Sequence, residues 1–302
     1  MDKIRSHRQL KLLVQTLFIV FTCFLLAQFF SAGILAGFGV SDISGLQPDN
    51  LRGIAIFKLA HFVSSVMSFI VPALLIAWLV YRNAGERLLL NRRVDLAWFA
   101  LAALIIFVAM PWLNALIQWN ESIRFPEKFA NLYNSFRSSE DFALRMTKLM
   151  LTGNSGWTLL LNVFLIALIP ALGEEFLFRG IIQRYLHDVT RNVHIAIWIS
   201  AVLFSAIHFQ FFGFFARTLL GAFFGYLVYY SGSLWVAVWA HFFNNAMAVL
   251  AQYFIAGGGL PEQADKFGSQ GTDWGWAVVS LGATVALFIV LIRKHKSELR
   301  SR

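Results

Sequence analysis

Two adjacent glutamates, Glu174 and Glu175, lie in the middle of a long apolar stretch, and Arg179 follows the second by four residues. One acid at membrane depth costs at least about 2.5 kcal/mol, and a second beside it adds like-charge repulsion. Glu175 and Arg179 stand in the favoured order for an i,i+4 ion pair on one helix. Glu174 projects about 100° further round the helix and can therefore face a different neighbour.

Two histidines lie inside other apolar segments. Phe204 and His208 are four residues apart, as are His241 and Asn245, so each pair shares one face of its helix. The segments that carry Glu174 and His208 are joined by a tight basic turn, and the two residues lie at similar distances from it along the chain. We therefore expect Glu174 and His208 at similar depth.

These residue types suit hydrolysis. A carboxylate with a neighbouring histidine can hold and deprotonate a water molecule, which is general-base catalysis. A second histidine and an asparagine amide can donate hydrogen bonds to an oxyanion. The same set could instead ligate a divalent metal such as zinc, with Glu174, His208 and His241 as candidate ligands. Both the metal-dependent and the metal-independent mechanism place Glu174 at the water.

The composition is that of a membrane protein. Of 302 residues, 58% are hydrophobic and only 14% are charged, whereas soluble domains have about 25% charged residues. Cys23 is the single cysteine, which excludes an intrachain disulfide and a cysteine zinc site. The net charge of +9 resides in the tails and short loops, as the positive-inside rule predicts, and needs no nucleic-acid partner.

The apolar runs predict an all-α fold, a polytopic transmembrane helical bundle of about eight spans. The predicted spans are 12–37, 53–81, 94–117, 157–187, 193–210, 213–230, 233–255 and 274–292. Alternating basic loops place both termini in the cytoplasm. An amphipathic interfacial helix is expected between 118 and 151. The predicted domains are 1–151 with the N-terminal helices, 152–255 as a core with the candidate catalytic residues, and 256–302 with the last helix and basic tail.

Three motifs occur in order: Glu-Glu-x-x-x-Arg, Phe-x-x-x-His and His-x-x-x-Asn. In this order and spacing the chain resembles the CAAX-protease and bacteriocin-processing (CPBP, Abi-type) family of intramembrane endopeptidases. The resemblance implies that Glu174 activates water with His208, and that His241 with Asn245 stabilises the oxyanion. The implied catalytic residues are Glu174, Glu175, His208, His241 and Asn245, with Arg179 and Phe204 shaping the site.

The predicted function is hydrolysis of a peptide bond in a membrane-associated substrate, such as a prenylated CAAX-type or bacteriocin-like peptide. The cell membrane is the expected location if the source is bacterial, and a metallopeptidase is one form of the activity. Two alternatives stay open. One is a membrane scaffold that reuses the fold without catalysis, in which Glu175 and Arg179 form a structural ion pair. The other is a proton- or cation-coupled transporter with Glu174 and Glu175 as a relay.

Overall fold

The computed structural model describes residues 2–40, 42–269 and 273–300, with side chains from His7 onward. These residues form helices and turns and include no strand. Seven helices are long and apolar enough to cross a membrane, which makes the chain a multi-pass membrane protein. The main helices are α1 (Asp2–Gly37), α2 (Leu51–Val80), α3 (Leu96–Ser122), α4 (Ala130–Leu151), α5 (Gly156–Thr190), α6 (Val193–Ala206), α7 (Phe214–Ser231), α8 (Leu234–Ala256) and α9 (Trp274–Arg300).

The predicted all-α, polytopic bundle is confirmed, with one adjustment to the predicted span 193–210. Its helix, α6, has 14 residues and ends at Ala206. At about 1.5 Å per residue it is roughly 21 Å long, less than the roughly 30 Å hydrocarbon core of a bilayer. The described residues therefore contain seven helices that are long and apolar enough to span a membrane and one short apolar helix, rather than eight full spans.

The turn between α5 and α6 follows from its sequence. Arg191 adopts a left-handed conformation, with φ of 58°, and ends α5. The Asn192 side chain then accepts hydrogen bonds from the backbone N–H groups of His194 and Ile195, which caps the start of α6. This compact turn sets α6 directly beside α5.

Helix α5 is not a regular α-helix. Its central α-helical turns, Ile169–Glu175, are flanked by π-helical turns at Val163–Leu168 and Phe176–Ile182. Pro170 has no backbone N–H and cannot bond the carbonyl of Ile166, which favours a departure from α geometry. Glu174 and Glu175 are the last two residues of the α-helical segment, directly before the second π-helical turn. Such π-helical turns often occur at functional sites.

One end of the bundle collects the basic loops, and we call it the basic end. It contains the start of α1, the loop at 82–95, the α5–α6 turn, the α7–α8 turn and the end of α9. Contacts across it are the Arg87–Asp188 ion pair at 3.0 Å, the Tyr185 hydroxyl donating to the Gln9 carbonyl at 3.2 Å, and His295 Nδ1 donating to the Tyr230 carbonyl at 2.7 Å.

At the other end, α4 lies over the apex of the α6–α7 hairpin, residues 207–213. The rings of Phe136 and Phe211 stack with centroids 5.2 Å apart. The Arg137 guanidinium lies 3.7 Å from the centre of the Phe212 ring, a cation–π contact. The amphipathic helix predicted between 118 and 151 is present as α4, and aromatic packing attaches it to the apex.

Glu140 on α4 gives a testable pH dependence. Burial raises the pKa of its carboxyl group, with a smaller opposing effect from Arg217. The folded state therefore binds this proton more tightly than the unfolded state, whose value is about 4.3. The stability that this group contributes is present below the unfolded value and is lost as pH rises through the raised folded value.

We therefore expect Glu140→Gln to be more stable than the native protein at pH 7, with the difference shrinking as pH falls towards about 4. Glutamine keeps the oxygen that accepts from Gln210 Nε2 at 3.5 Å. Thermal unfolding in detergent across this pH range measures the effect, with the exposed Glu127→Gln as control. A difference that does not vary with pH would contradict the assignment.

Candidate active site

The carboxylate pair and its arginine are buried in the centre of the bundle. Glu174 is 8% exposed, Glu175 is 0% exposed and Arg179 is 1% exposed. Arg179 Nη1 donates to Glu175 Oε1 at 2.8 Å, so the ion pair expected from their spacing is present. A charged pair at such depth needs further hydrogen bonds to offset its desolvation.

Helix α7 supplies those hydrogen bonds from its backbone. Arg179 Nη2 donates to the Gly221 carbonyl at 2.9 Å, and Gln183 Nε2 donates to the Gly225 carbonyl at 3.3 Å. A Cβ atom on Gly221 would lie 3.2 Å from Arg179 Nη2 and 3.3 Å from the backbone of Ala201. Sequence reasoning missed this contact, although Gly221 and Gly225 form a Gly-x-x-x-Gly pattern, which is typical of close helix approach in membranes.

His241 on α8 lies between the two glutamates. Its Nδ1 is 2.8 Å from Glu175 Oε1, and its Nε2 is 3.8 Å from Glu174 Oε2. A carboxylate only accepts hydrogen bonds, so Nδ1 carries a hydrogen and donates it. Phe224 stacks on the ring at 4.9 Å and holds its plane. Glu175 therefore binds both Arg179, as its spacing predicts, and His241, which the spacing does not indicate.

His208 lies just beyond the end of α6 and is half-buried. Its Nδ1 donates to the Phe204 carbonyl at 2.8 Å, which leaves Nε2 of the neutral ring as an acceptor. The Phe204 ring lies 5.2 Å from His208 and 5.9 Å from His241, so it separates the two imidazoles. Among the described residues, no ion-pair contact within 4.0 Å joins His208 to Glu174. If His208 and Glu174 act together in catalysis, they therefore act through a molecule, such as water, that is bound between them.

Asn245 connects α8 to the irregular part of α5. Its Nδ2 donates to the Ile166 carbonyl at 3.4 Å, the group that Pro170 cannot serve. Its Oδ1 accepts from Asn244 Nδ2 at 3.1 Å. One amide hydrogen of Asn245 is thus used between helices, and the other is the one that could serve an oxyanion. The predicted oxyanion role of Asn245 stays a prediction.

The charges of the site balance formally. Glu174 and Glu175 contribute two negative charges, and Arg179 and the nearby Arg217 contribute two positive charges. Arg217 Nη2 donates to the side chain of Gln210 at 2.9 Å, so this second cation is attached to the hairpin apex. With both imidazoles neutral, the cluster carries no net charge, which limits the penalty of burial.

The described residues contain no group of three or more His, Cys, Asp or Glu side chains arranged to hold a metal ion. Glu174 Oε2 and His241 Nε2, 3.8 Å apart, are two donors that face each other. His208, the third candidate ligand, is not grouped with them. Because structural and catalytic zinc sites use at least three protein ligands, the donor set does not fit a metal in this conformation, and no step is derived through one.

The fold and the site together define a multi-pass helical membrane protein with two carboxylates and one imidazole buried in the bundle and a second, half-buried imidazole at the hairpin apex. Residues 156–247 match the family described as type II CAAX prenyl endopeptidase Rce1-like. This segment contains all seven motif residues, so the predicted resemblance to the CPBP family is confirmed over this third of the chain.

One curated relative carries the description "Uncharacterized protein YpbD" and comes from Bacillus subtilis (strain 168). It is 29% identical over 90 residues, which cover 28% of this chain and 43% of the relative. The match thus spans less than half of that protein's length. No solved structure matches the chain.

Proposed function

We propose that this protein is an intramembrane endopeptidase that hydrolyses a peptide bond with a water molecule activated by Glu174. One observation carries the proposal. Arg179, Glu175 and His241 form a continuous hydrogen-bonded chain, and its far end, His241 Nε2, lies beside the Glu174 carboxylate. An acid that orients an imidazole next to a second acid is an arrangement suited to proton transfer.

In this proposal Glu174 takes a proton from water as the water oxygen attacks the carbonyl carbon of the substrate. The carbonyl π electrons move to oxygen and form an oxyanion. When the intermediate collapses, the bond from carbon to nitrogen breaks, and the protonated Glu174 returns the proton to the leaving amine. His208 Nε2, an acceptor in the neutral ring, orients the attacking water by accepting its second hydrogen.

His241 serves the oxyanion through Nε2, which in this scheme first takes a proton from bulk water, so that the ring is then doubly protonated. The Glu175 carboxylate stabilises that imidazolium through Nδ1–H, and Nε2–H then points towards the reacting region. Arg179 holds Glu175 in one rotamer, because it donates to the same oxygen that His241 contacts. Glu175 is therefore a positioning residue in this scheme, whereas Glu174 touches the reacting atoms.

The proposed substrate is a membrane-associated peptide, for which prenylated CAAX-type and bacteriocin-like peptides are the candidates that the family resemblance suggests. The protein lies in the lipid bilayer. The proposed orientation places both termini in the cytoplasm, because the start of α1 and the end of α9 lie at the basic end. In a bacterium this membrane is the plasma membrane.

The purified full-length chain in lipid vesicles tests the activity directly. We expect it to cleave members of a library of prenylated and acylated peptides, and products made in ¹⁸O water to carry the label in the new carboxyl group. Mass spectrometry detects both results. If the protein binds the peptides but cleaves none of them, the result would favour the alternative of a non-catalytic membrane scaffold. Uptake driven by a pH gradient would favour the transporter.

A chelator decides the metal question in the same assay. Activity that survives exhaustive chelation is the expected result, because the described residues gather two facing donors and not three. Activity that is lost and then restored by zinc would show that the active conformation brings His208 to the other donors. The matched control is the protein treated with the zinc-saturated chelator.

A further inference from the structure

The α6–α7 hairpin turns back at the end of the bundle opposite the basic end. Helix α6 begins at the basic end and has only 14 residues, about 21 Å, before its chain turns back at residues 207–213. The hydrocarbon core of a bilayer is about 30 Å thick. The hairpin apex, with His208 in it, lies under α4 at the end of the bundle that is remote from the basic loops, and we call the space beneath α4 the recess.

Helix α4 roofs this recess without filling it. On one side it is attached to the apex through Phe136, Arg137 and Glu140, as described above. On the other side a cavity of about 770 Å³ remains between α4, α2 and the hairpin apex. We call this cavity the groove, and its volume lies in the range of about 300–1,000 Å³ that is usual for ligand sites.

The walls of the groove combine apolar, hydroxyl and imidazole groups. Phe57 and Met146 supply apolar surface, and Ser138 and Ser139 supply hydroxyl groups that make no hydrogen bond within the described part of the chain. His208 forms part of the wall, so the groove and the candidate active site share this residue. Unpaired hydroxyl groups beside apolar surface suit a polypeptide, whose backbone needs hydrogen bonds and whose side chains need apolar contact.

We propose that the groove between α4 and α2 binds an extended segment of the substrate polypeptide and admits it from the end opposite the basic loops. By the positive-inside rule that end is extracytoplasmic. Of the two candidate substrates, the groove therefore favours a bacteriocin-like polypeptide with its cleavable segment on the outer side over a CAAX-type C-terminal tail, which would lie at the basic, cytoplasmic end. This inference rests on the proposed peptidase function for its reaction, but binding and direction of entry are separate measurements.

Single cysteines in a Cys23→Ala background test the proposal. The test variant is Ser138→Cys in the groove. Asp141→Cys, an exposed position on the same helix that does not line the groove, is the control for the same end. Ser297→Cys, exposed near the end of α9, marks the basic end. The full-length variants are placed in sealed vesicles of defined orientation and treated with a membrane-impermeant maleimide.

We expect Ser138→Cys and Asp141→Cys to be labelled from one side and Ser297→Cys from the other. The probe is a mixture of palmitoylated decapeptides randomised over leucine, phenylalanine, serine and alanine. At a peptide concentration about ten times Kd, about one tenth of the grooves are free, so labelling of Ser138→Cys should slow about tenfold. Labelling of Asp141→Cys should not change.

Labelling of Ser138→Cys from the same side as Ser297→Cys would overturn the direction of entry. Equal rates with and without peptide would overturn binding in the groove. If the native protein cleaves the library and Ser138→Cys shows no protection, the groove fails and the peptidase stands. If protection occurs without any cleavage by the native protein, the peptidase fails and the groove stands as a peptide site.

Discussion

Glu174→Gln is expected to lower kcat for peptide cleavage by about 10²–10⁴-fold, the usual contribution of a general base. Glutamine has nearly the same shape as glutamate and keeps one oxygen, but its amide cannot accept a proton from water at neutral pH. KM should change little, because the substrate contacts proposed for the groove do not involve this side chain. Cleavage rates in vesicles at saturating peptide measure the loss.

The fold should survive this change. Glu174 and Glu175 are adjacent buried carboxylates, so removing one charge relieves repulsion instead of leaving a partner unpaired. Thermal unfolding should therefore show a variant at least as stable as the native protein. Glu262→Gln, the same substitution at an exposed loop position, is the matched control and should leave both activity and stability unchanged. Undiminished turnover by Glu174→Gln would remove Glu174 from the mechanism.

Arg179→Met is expected to destabilise the protein by about 3–5 kcal/mol, the usual result of removing one partner from a buried ion pair. Methionine fills much of the space between the Phe204 and Phe224 rings, so the lost charge is the main change. Glu175 would keep only its hydrogen bond from His241, and the Gly221 carbonyl would lose its donor. Thermal or denaturant unfolding in detergent measures the effect, with the exposed Arg293→Met as control.

The double variant Arg179→Met with Glu175→Gln separates stability from catalysis. It removes both charges, so much of the lost stability should return, and the double-mutant cycle gives the coupling energy. Glutamine can still accept from His241 Nδ1, but it cannot stabilise an imidazolium, so kcat should stay low. Recovery of full activity together with stability would assign Glu175 and Arg179 a purely structural role. If Arg179→Met alone were as stable as the native protein, the result would contradict the buried ion pair.

Local geometry made some of the site predictable. Glu175 and Arg179 pair because residues four apart on one helix are neighbours wherever that helix packs, and the observed contact is 2.8 Å. The amphipathic segment at 118–151 and the apolar spans follow likewise from the order of residues alone, since a bilayer requires long apolar helices. Motif order was sufficient to indicate the family.

Helix α5 was only partly predictable. Two π-helical turns flank the α-helical turns that carry Glu174 and Glu175, so a regular helix wheel does not describe how the two acids are oriented relative to the rest of α5. A regular helical wheel predicts that Glu174 and Glu175 face different neighbours. In the structure both reach the same imidazole of His241, one at each ring nitrogen.

The sequence by itself determined that this is a helical membrane protein with two acids, an arginine, two histidines and an asparagine inside apolar segments. Tertiary structure alone decided that Glu175 binds His241, that Arg179 reaches the Gly221 carbonyl, and that a short α6 leaves His208 in a recess under α4. The physical reason is one of range. Contacts within a helix repeat with its pitch, whereas contacts between helices depend on packing angles and lengths that many distant residues set together.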